Sequence, residues 1–284
     1  MPDPPPSVPP RWLVQFGYDG AGFDGWARQP GRRTIEGEIV RRLRPTPRRP
    51  EPVSPTNGID VASRTDRGVS ARGNALAVRS RLSGPALLRQ LNGISPEIFF
   101  TAATPIPEGF RVRSATRRTY RYWESDPAGE ATMWREAAAL FHGPVDVRSF
   151  GRGIPVRTPQ LRTVESVEVT PFSEGLRIEV RAPSFVWGMV RKIVAALREH
   201  GRGRLPLARL RAAVEGELRL TLPMAEPEPL VLWEVEYPIP WTIRWGGANR
   251  HQRAHVANGL RQTQVRQVVL ETLVPEGPTT RSVE

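Results

Sequence analysis

Along several short stretches of the chain, apolar and β-branched residues alternate with polar ones, and along others apolar residues recur every three or four positions. Residues 11–19 have the alternation and the β-rich content of a strand. Ile35, Ile39 and Leu43 recur every four residues and mark one buried face of a helix, which Thr34 can cap. The chain therefore combines strand and helix patterns, as α+β proteins do.

The rest of the first half continues with short strands and one further helix. A proline-rich loop is expected over residues 45–55. Strands are predicted over residues 59–63, 74–79 and 98–102, and a helix begins at Pro85, whose fixed φ suits a first helical turn. The predicted element order of this half is β-α-β-β-α-β.

The second half repeats this order without any repeat of the residues themselves. The predicted elements are a strand over 116–124, a helix over 132–141, a hairpin of strands 161–170 and 176–181, a helix over 187–200, an extra helix over 207–215 and a last strand over 230–237. Each half is therefore predicted to have the ferredoxin-like arrangement.

Two such halves can join their sheets edge to edge, with a cleft across the join. The predicted organisation is a disordered leader over 1–10, a first half over 11–104, a second half over 110–240 and a basic tail over 241–284. The strand over 59–63 is expected to deliver the turn that follows it to the cleft.

The tail has a pattern of its own. Residues 250–273 are predicted to form a basic amphipathic helix with Val256, Leu260, Val268 and Val269 on its apolar side. This helix has three possible roles, which are packing on the body of the protein, contact with RNA and support of a dimer. The sequence does not choose among them.

The charge of the chain favours a polyanionic partner. The 284 residues carry a formal net charge of +12, and the basic residues are almost all arginine, with Lys192 the only lysine. Such a surface attracts nucleic acid, to which binding weakens as salt rises. A compositional habit of the source organism explains the choice of arginine over lysine, but not the excess of basic over acidic residues.

Several classes of protein are excluded or disfavoured by composition. No cysteine is present, which excludes disulfides, thiolate catalysis and cysteine-type zinc sites. No apolar run reaches the roughly 20 residues that span a membrane, and the proline-rich start lacks the apolar core of a secretory signal. A cytoplasmic protein is the simplest inference.

One short segment, residues 63–71, places an acid between two bases. Asp66 lies between Arg64 and Arg67, and Gly68 follows two positions later. Neighbouring positive charge keeps such a carboxylate ionised, and the glycine permits a sharp turn or a close approach to a ligand. An ordinary surface turn has the same chemistry, so these residues alone leave both interpretations open.

Two further segments carry polar residues within apolar patterns. In the strand over 116–124, Tyr120 and Tyr122 share one face with Arg118, which is also typical of a strand with aromatic core packing. In the helix over 187–200, Arg191 falls off the apolar stripe, and periodicity alone predicts that it is solvated.

The three segments, in this order, resemble the signatures of the TruA family of tRNA pseudouridine synthases. The resemblance implies the pseudouridine synthase fold, in which two ferredoxin-like halves form one mixed, largely antiparallel sheet with a central cleft. It implies that Asp66 is catalytic, that Tyr120 packs on the target base and that Arg64 helps to hold the flipped nucleotide. It also implies that Arg191 points into the cleft and pairs with Asp66, for which a bidentate guanidinium is well suited.

The resemblance also implies the substrate and the assembly. The expected reaction isomerises uridine at the 3′ side of the tRNA anticodon stem-loop (positions 38 to 40), by a homodimer whose two subunits both contact tRNA. The isomerisation needs no cofactor and no metal, and the sequence has no obvious site for either. The chain departs from the family pattern at Ala27, Ser70 and Gly188, which weakens the expected loop contacts.

Two other functions remain open. A non-catalytic RNA-binding protein on the same fold explains the charge equally well, but not the joint presence of Asp66, Tyr120 and Arg191. A carboxylate-dependent hydrolase needs a second catalytic carboxylate near Asp66, and the sequence offers no clear one.

Overall fold

The computed structural model describes residues 8–43, 54–55, 59–93, 95–155, 160–173 and 175–273. Within these ranges, eleven strands and six helices form a large mixed sheet and the layers packed on it. No helix in the described part of the chain is long and apolar enough to cross a membrane. The predicted leader falls mostly outside these ranges, as does most of the loop predicted over residues 45–55. The last two residues of that loop, Ser54–Pro55, form a short strand instead.

The first half contains two helices beside the strands of one end of the sheet. Its elements are β1 (Arg11–Tyr18), α1 (Ile35–Leu43), β2 (Ser54–Pro55), β3 (Ser70–Arg79), α2 (Gly84–Asn92) and β4 (Ile98–Ile106). Thr34 caps α1 as predicted, since its Oγ1 accepts a hydrogen bond from the Gly37 N–H at 3.2 Å. The strand β4 continues through residue 104, where the first half was predicted to end.

The second half contains the remaining helices and strands. Its elements are β5 (Arg117–Glu124), α3 (Ala131–Ala139), β6 (Gly143–Asp146), β7 (Leu161–Val164), β8 (Ser166–Phe172), β9 (Gly175–Ala182), α4 (Met189–Gly201), α5 (Leu207–Glu215) and β10 (Leu230–Glu236). The tail adds β11 (Ile243–Arg244) and α6 (Arg250–Leu273).

A single sheet runs through both halves in the order β11-β4-β1-β3-β10-β5-β9-β8, and β2 pairs with β3. The halves meet where β10 pairs with β3 in parallel, with Val231 opposite Ser70 and Leu232 opposite Ala71. The other strand pairs are antiparallel in the described part of the sheet. The predicted α+β class with two sheets joined at their edges is confirmed.

Buried apolar side chains form one hydrophobic cluster that includes residues of both halves. In β9, Ile178 and Val180 are fully buried, whereas the alternate residues Glu179 and Arg181 belong to an ion-pair chain that also includes Arg121. The sheet therefore has an apolar face and a charged face here, as the alternation along β9 dictates. Burial on one face fixes the register of the strands.

The predicted strand over residues 59–63 is wrong. The segment makes only an isolated bridge between Val61 and Leu76, because the side chain of Asn74 replaces the next ladder bonds. The Asn74 amide accepts from the Ser63 N–H at 3.3 Å and donates to the Ser63 carbonyl at 2.9 Å. The chain is thereby released from the sheet just before Asp66.

The predicted hairpin strand over 161–170 is in fact two strands. Its first part, β7, pairs with the unpredicted β6 in a separate two-stranded sheet, and only β8 pairs with β9. The predicted helix over 187–200 begins later, at Met189, because Gly188 has a φ of 75° that a helix cannot continue. Helix α5 has the predicted bounds.

The tail helix α6 also has its predicted bounds, but its packing differs from an amphipathic pattern. Among the side chains of α6 that the structure describes, that of Gln252 is fully buried, whereas those of Val256 and Leu260 are 48% and 63% exposed. The side chains of Val268 and Val269 lie outside the described residues. The helix is held through polar contacts at its first two turns.

Candidate active site

A tight turn presents Asp66 at the junction of the two halves. The Val69 N–H donates to the Asp66 carbonyl at 3.2 Å, and Gly68 has a φ of 79°, a conformation that glycine adopts without strain. The turn begins where Asn74 ends the pairing of residues 59–63 and leads directly into β3. Both ends of the turn are therefore fixed by the sheet.

The first-half segment from β1 to α1 supports this turn from one side. The Trp26 N–H donates to the Thr65 carbonyl at 3.1 Å, and the Tyr18 hydroxyl and Thr65 Oγ1 are hydrogen-bonded at 2.8 Å. Ser70, one of the departures from the family pattern, accepts a hydrogen bond from the Gly20 N–H at 3.0 Å. These contacts support a structural role for the segment.

Arg118 on β5 supports the turn from the other half. Its guanidinium donates to Ser63 Oγ at 3.1 Å and to the Ala62 carbonyl at 3.1 Å, and it also bonds the Pro183 carbonyl. The side chain is buried, and this burial lowers the pKa of the guanidinium. Arg118 thus joins the segment before Asp66 to the second half of the molecule.

Each carboxylate oxygen of Asp66 accepts one hydrogen bond, one from a residue just before α4 and one from a residue in its first turn. Trp187 Nε1–H donates to Oδ1 at 2.8 Å, and Arg191 Nη1 donates to Oδ2 at 3.1 Å. The Asp66 and Arg191 side chains are 25% and 16% exposed. The carboxylate is thus held between two donors while part of it still reaches solvent.

Arg191 is therefore not the solvated arginine that periodicity predicts. Its Nε donates to the Ala225 carbonyl at 2.6 Å, and the Ala225 N–H bonds the Arg191 carbonyl at 3.2 Å. Nη1 donates to Oδ2 while Oδ1 accepts from Trp187, so the expected bidentate fork on Asp66 does not form. Arg191 instead gives Asp66 one charge-assisted hydrogen bond, and Trp187 provides the second donor.

Tyr120 lies beside the cleft with its ring largely buried. The ring packs edge-on against Phe185, with centroids 5.1 Å apart, and its hydroxyl is hydrogen-bonded to the Ser63 side chain. Burial raises the pKa of the Tyr120 hydroxyl to about 12. At neutral pH this hydroxyl is protonated, so it can donate a hydrogen bond.

Arg64 is exposed at the cleft and has no hydrogen bond or ion pair with any residue that the structure describes. An unengaged guanidinium suits contact with a phosphate or a displaced base. The structure thus brings Asp66, Tyr120, Arg64 and Arg191 to one cleft, and only Asp66 and Arg191 are in direct contact.

The cleft has a volume of about 1280 Å³ and is lined by residues of both halves. Its lining is rich in arginine, which supplies Arg32, Arg64, Arg67, Arg113, Arg118, Arg152 and Arg191, against the acids Asp24, Asp66 and Glu228. Among the described residues, no group of three or more His, Asp or Glu side chains is placed to hold a metal ion.

Two residues of this site were not predicted from the sequence. Trp187 donates to Asp66, and Arg152 lies over the Trp187 ring with its Cζ 4.3 Å from the centroid. The sequence hints at this role only through a tryptophan four positions before Arg191. That tryptophan lies in a segment that was predicted to be the first turn of a helix. Gly188 breaks that helix and places Trp187 outside it.

Comparison with known proteins gives a consistent result. A family model described as tRNA pseudouridine synthase matches residues 137–238, which include α4 and β10. The protein "tRNA pseudouridine synthase A" of Thermococcus kodakarensis is 40% identical over 230 residues, covering 80% of this chain and 85% of that protein.

Two further relatives carry the same name. The protein of Thermococcus onnurineus is 39% identical over 232 residues and covers 80% of this chain and 85% of its own. That of Methanoculleus marisnigri is 36% identical over 230 residues, with coverage of 80% and 83%. The similarity therefore extends through most of the chain and most of each relative.

Proposed function

Since this chain belongs to the tRNA pseudouridine synthase A family, an isomerase family, we propose that it converts uridine to pseudouridine at the 3′ side of the tRNA anticodon stem-loop with Asp66 as catalytic residue. The observation that carries the proposal is the contact between Asp66 and Arg191, 125 residues apart in sequence, at the base of an arginine-lined cleft. The stem-loop as target and the roles of individual residues are parts of this proposal.

The reaction rearranges one nucleotide without net gain or loss of atoms. The bond from uracil N1 to ribose C1′ breaks, the base turns, and C5 forms the new bond to C1′. C5 then loses its proton and N1 gains one. An ionised carboxylate suits the C1′ side of this chemistry, either as nucleophile or as counter-charge to a cationic sugar. Asp66 accepts a charge-assisted hydrogen bond from the Arg191 guanidinium.

Tyr120 has a different role in the proposal. Burial raises the pKa of its hydroxyl to about 12, so the hydroxyl stays protonated at neutral pH and can donate a hydrogen bond to the target base. Its ring and that of Phe185 offer an aromatic wall against which an extruded uracil can lie. Tyr120 therefore orients the base, and Asp66 acts on the sugar.

The arginines of the cleft bind the RNA backbone. A uridine inside a stem-loop must leave its stack before its C1′ can reach Asp66. Arg64, two positions before Asp66 and without a partner among the described residues, is placed to hold the nucleotide in that position. The proposal therefore assigns a function to Arg64, whose exposed guanidinium stabilises the fold through no described contact.

Substitution of Asp66 tests this assignment. Asp66→Asn and Asp66→Ala are expected to lower pseudouridine formation by at least about 10³-fold, because the charge that acts at C1′ is lost. Binding of tRNA should persist, since the arginines of the cleft remain. Carbodiimide labelling of a full-length tRNA transcript measures the product and maps its position.

A matched control is Asp24→Asn, because Asp24 also lines the cleft but is paired with Arg32 and Arg67 rather than with α4. This variant should retain most of its activity. Turnover by Asp66→Asn at a rate near wild type would exclude the proposed catalytic role. Product found only outside the anticodon stem-loop would exclude the proposed position and leave the chemistry intact.

We also propose that the active protein is a homodimer in the cytoplasm, as the family resemblance implies. Light scattering on the purified protein should give twice the 31.7 kDa of the chain. A monomer that is fully active at the same concentration would contradict this assembly.

A further inference from the structure

Trp187 is the largest exposed apolar side chain in the cleft, and packing does not explain its position. The side chain is 55% exposed, although an indole gains more than most side chains from burial. It precedes Gly188, whose φ of 75° turns the chain into α4, and its own carbonyl accepts a hydrogen bond from the Arg152 N–H at 2.8 Å. The backbone is thus fixed while the ring stays in solvent.

The two donors that hold Asp66 differ in how firmly they are placed. Arg191 is mostly buried and is tied to Ala225 through both its side chain and its carbonyl. Trp187 contacts Asp66 through a single N–H, on a ring that is more than half exposed. Rotation of this one side chain frees Oδ1 and leaves Oδ2 in place.

Arg152 places a second binding group on the face of the Trp187 ring. Its guanidinium lies over the indole at 4.3 Å, and it has no ion pair with any described residue. A guanidinium on an indole face is held in place by a cation–π interaction while its N–H groups remain available for a phosphate. The pair therefore offers an aromatic surface and an anion-binding group side by side.

From these contacts we infer that Trp187 and Arg152 form a subsite for the nucleotide next to the target uridine. The base of that nucleotide stacks on Trp187 and its phosphate pairs with Arg152. Because Trp187 also donates to Asp66 Oδ1, it is a positioning residue that couples occupation of the subsite to the orientation of the carboxylate. The inference rests on the proposed function in that the ligand is tRNA and Asp66 is catalytic.

Three variants separate the parts of this inference. Trp187→Ala removes the stacking surface and should raise the Kd for full-length tRNA by roughly 5-fold to 100-fold, as expected for the loss of one base–aromatic stack. Trp187→Phe keeps a stacking ring but loses the N–H donor. Its Kd should stay within about threefold of wild type while kcat falls about tenfold.

Arg152→Ala tests the phosphate contact by its salt dependence. Loss of one phosphate contact should lower the slope of log Kd against log salt concentration by about one. A residue that only stabilises the fold would not change this slope. Trp187 fluorescence gives a direct readout, because binding of tRNA should quench emission in the wild type by an amount that Trp187→Phe lacks.

Trp233→Phe is the matched control. Trp233 also carries an arginine on its ring, with Arg121 Cζ at 3.7 Å, but it does not line the cleft. This variant should have the Kd and kcat of the wild type, and binding of tRNA should quench its emission as much as it quenches that of the wild type. Circular dichroism of each variant checks that the fold is retained.

Product is counted over the whole tRNA, so that an error in the proposed position does not affect the comparison. Wild-type affinity in Trp187→Ala, or an unchanged salt slope in Arg152→Ala, would overturn the subsite. Wild-type kcat in Trp187→Phe would overturn the coupling to Asp66. If Asp66→Asn is active while Trp187→Ala binds weakly, the proposed catalytic role fails and the subsite stands.

Discussion

At the scale of single residues, Asp66 accepts hydrogen bonds from two donors and keeps free acceptor capacity. A carboxylate offers about four lone-pair positions, and Trp187 and Arg191 each use one. The remaining positions are available to a substrate that enters the cleft. Arg191 contributes the only formal charge in these two contacts, and its hydrogen bond helps to set the orientation of the carboxylate.

The substitution Arg191→Lys tests that contribution. A lysine ammonium keeps the charge, but it cannot bond Asp66 and the Ala225 carbonyl with the planar geometry of Nη1 and Nε. The kcat for pseudouridine formation is expected to fall roughly 10- to 100-fold, while the Kd for tRNA changes by less than about threefold. Single-turnover kinetics separate the two quantities, and a near-normal rate would show that the ion pair does not matter.

At the scale of elements, polar contacts decide how α6 is attached. Gln252 donates to Asn92 Oδ1 at 2.9 Å and to the Ile98 carbonyl at 3.0 Å, and its Oε1 accepts from the Asn249 N–H at 2.9 Å. His255 adds a contact with Asp19 at 3.1 Å. The helix is thus anchored at its first turns to the first half, close to the ends of α2, β1 and β4.

Gln252→Ala is therefore expected to detach α6 from the body of the protein. The substitution leaves buried partners of Gln252 without their hydrogen bonds, which costs about 1–3 kcal/mol. Hydrogen exchange of amides in residues 250–264 should rise more than in β1 or β4. Gln262→Ala on the exposed part of the same helix is the control and should change stability by less than about 0.5 kcal/mol. Equal exchange in both variants would contradict the anchoring role.

At the scale of the whole molecule, all four tyrosines share one electrostatic property. Burial raises the pKa of Tyr120 and Tyr122 to about 12, and it also raises the pKa of Tyr18 and Tyr237. These hydroxyls lie in both halves of the protein. In the folded state the four hydroxyls therefore ionise at a higher pH than in the unfolded chain, where the pKa of tyrosine is near 10.

Alkaline pH should consequently unfold the protein over a defined range. Since the folded pKa values lie above the unfolded ones, the tyrosines contribute fully to stability below about pH 10, and that contribution is lost as pH rises through about 12. Burial lowers the pKa of Lys192 and that of Arg118, and these two groups act in the opposite sense to the four tyrosines.

Urea unfolding at a series of pH values measures this effect. The free energy of unfolding should fall steeply above pH 10, and absorbance at 295 nm should show tyrosinate appearing together with loss of structure. Tyrosinate that forms below pH 11 while the fold is intact would show that the hydroxyls are accessible.

The sequence by itself determined the local elements and the chemical groups of the site. Its apolar periodicity predicted α5 and α6 with their observed bounds and the alternation of strands and helices in each half. In α5 this succeeds because periodicity records which face of an element is buried. In α6 only the bounds agree, since the apolar residues Val256 and Leu260 are exposed. The segment around Asp66, which we propose to be catalytic, was also recognisable, because its residues are contiguous and a family resemblance could identify them.

Only the tertiary structure decided which polar groups meet. Periodicity placed Arg191 in solvent, but the path of the chain between β10 and α4 brings it to Asp66. The bond from Trp187 to Asp66 spans 121 positions, and that from Arg118 to Ser63 spans 55. A hydrogen bond between distant residues leaves no repeating pattern along the chain, since it depends on where separate elements cross. For that reason periodicity predicted none of these contacts, and only the pairing of Arg191 with Asp66 was implied, by the family resemblance.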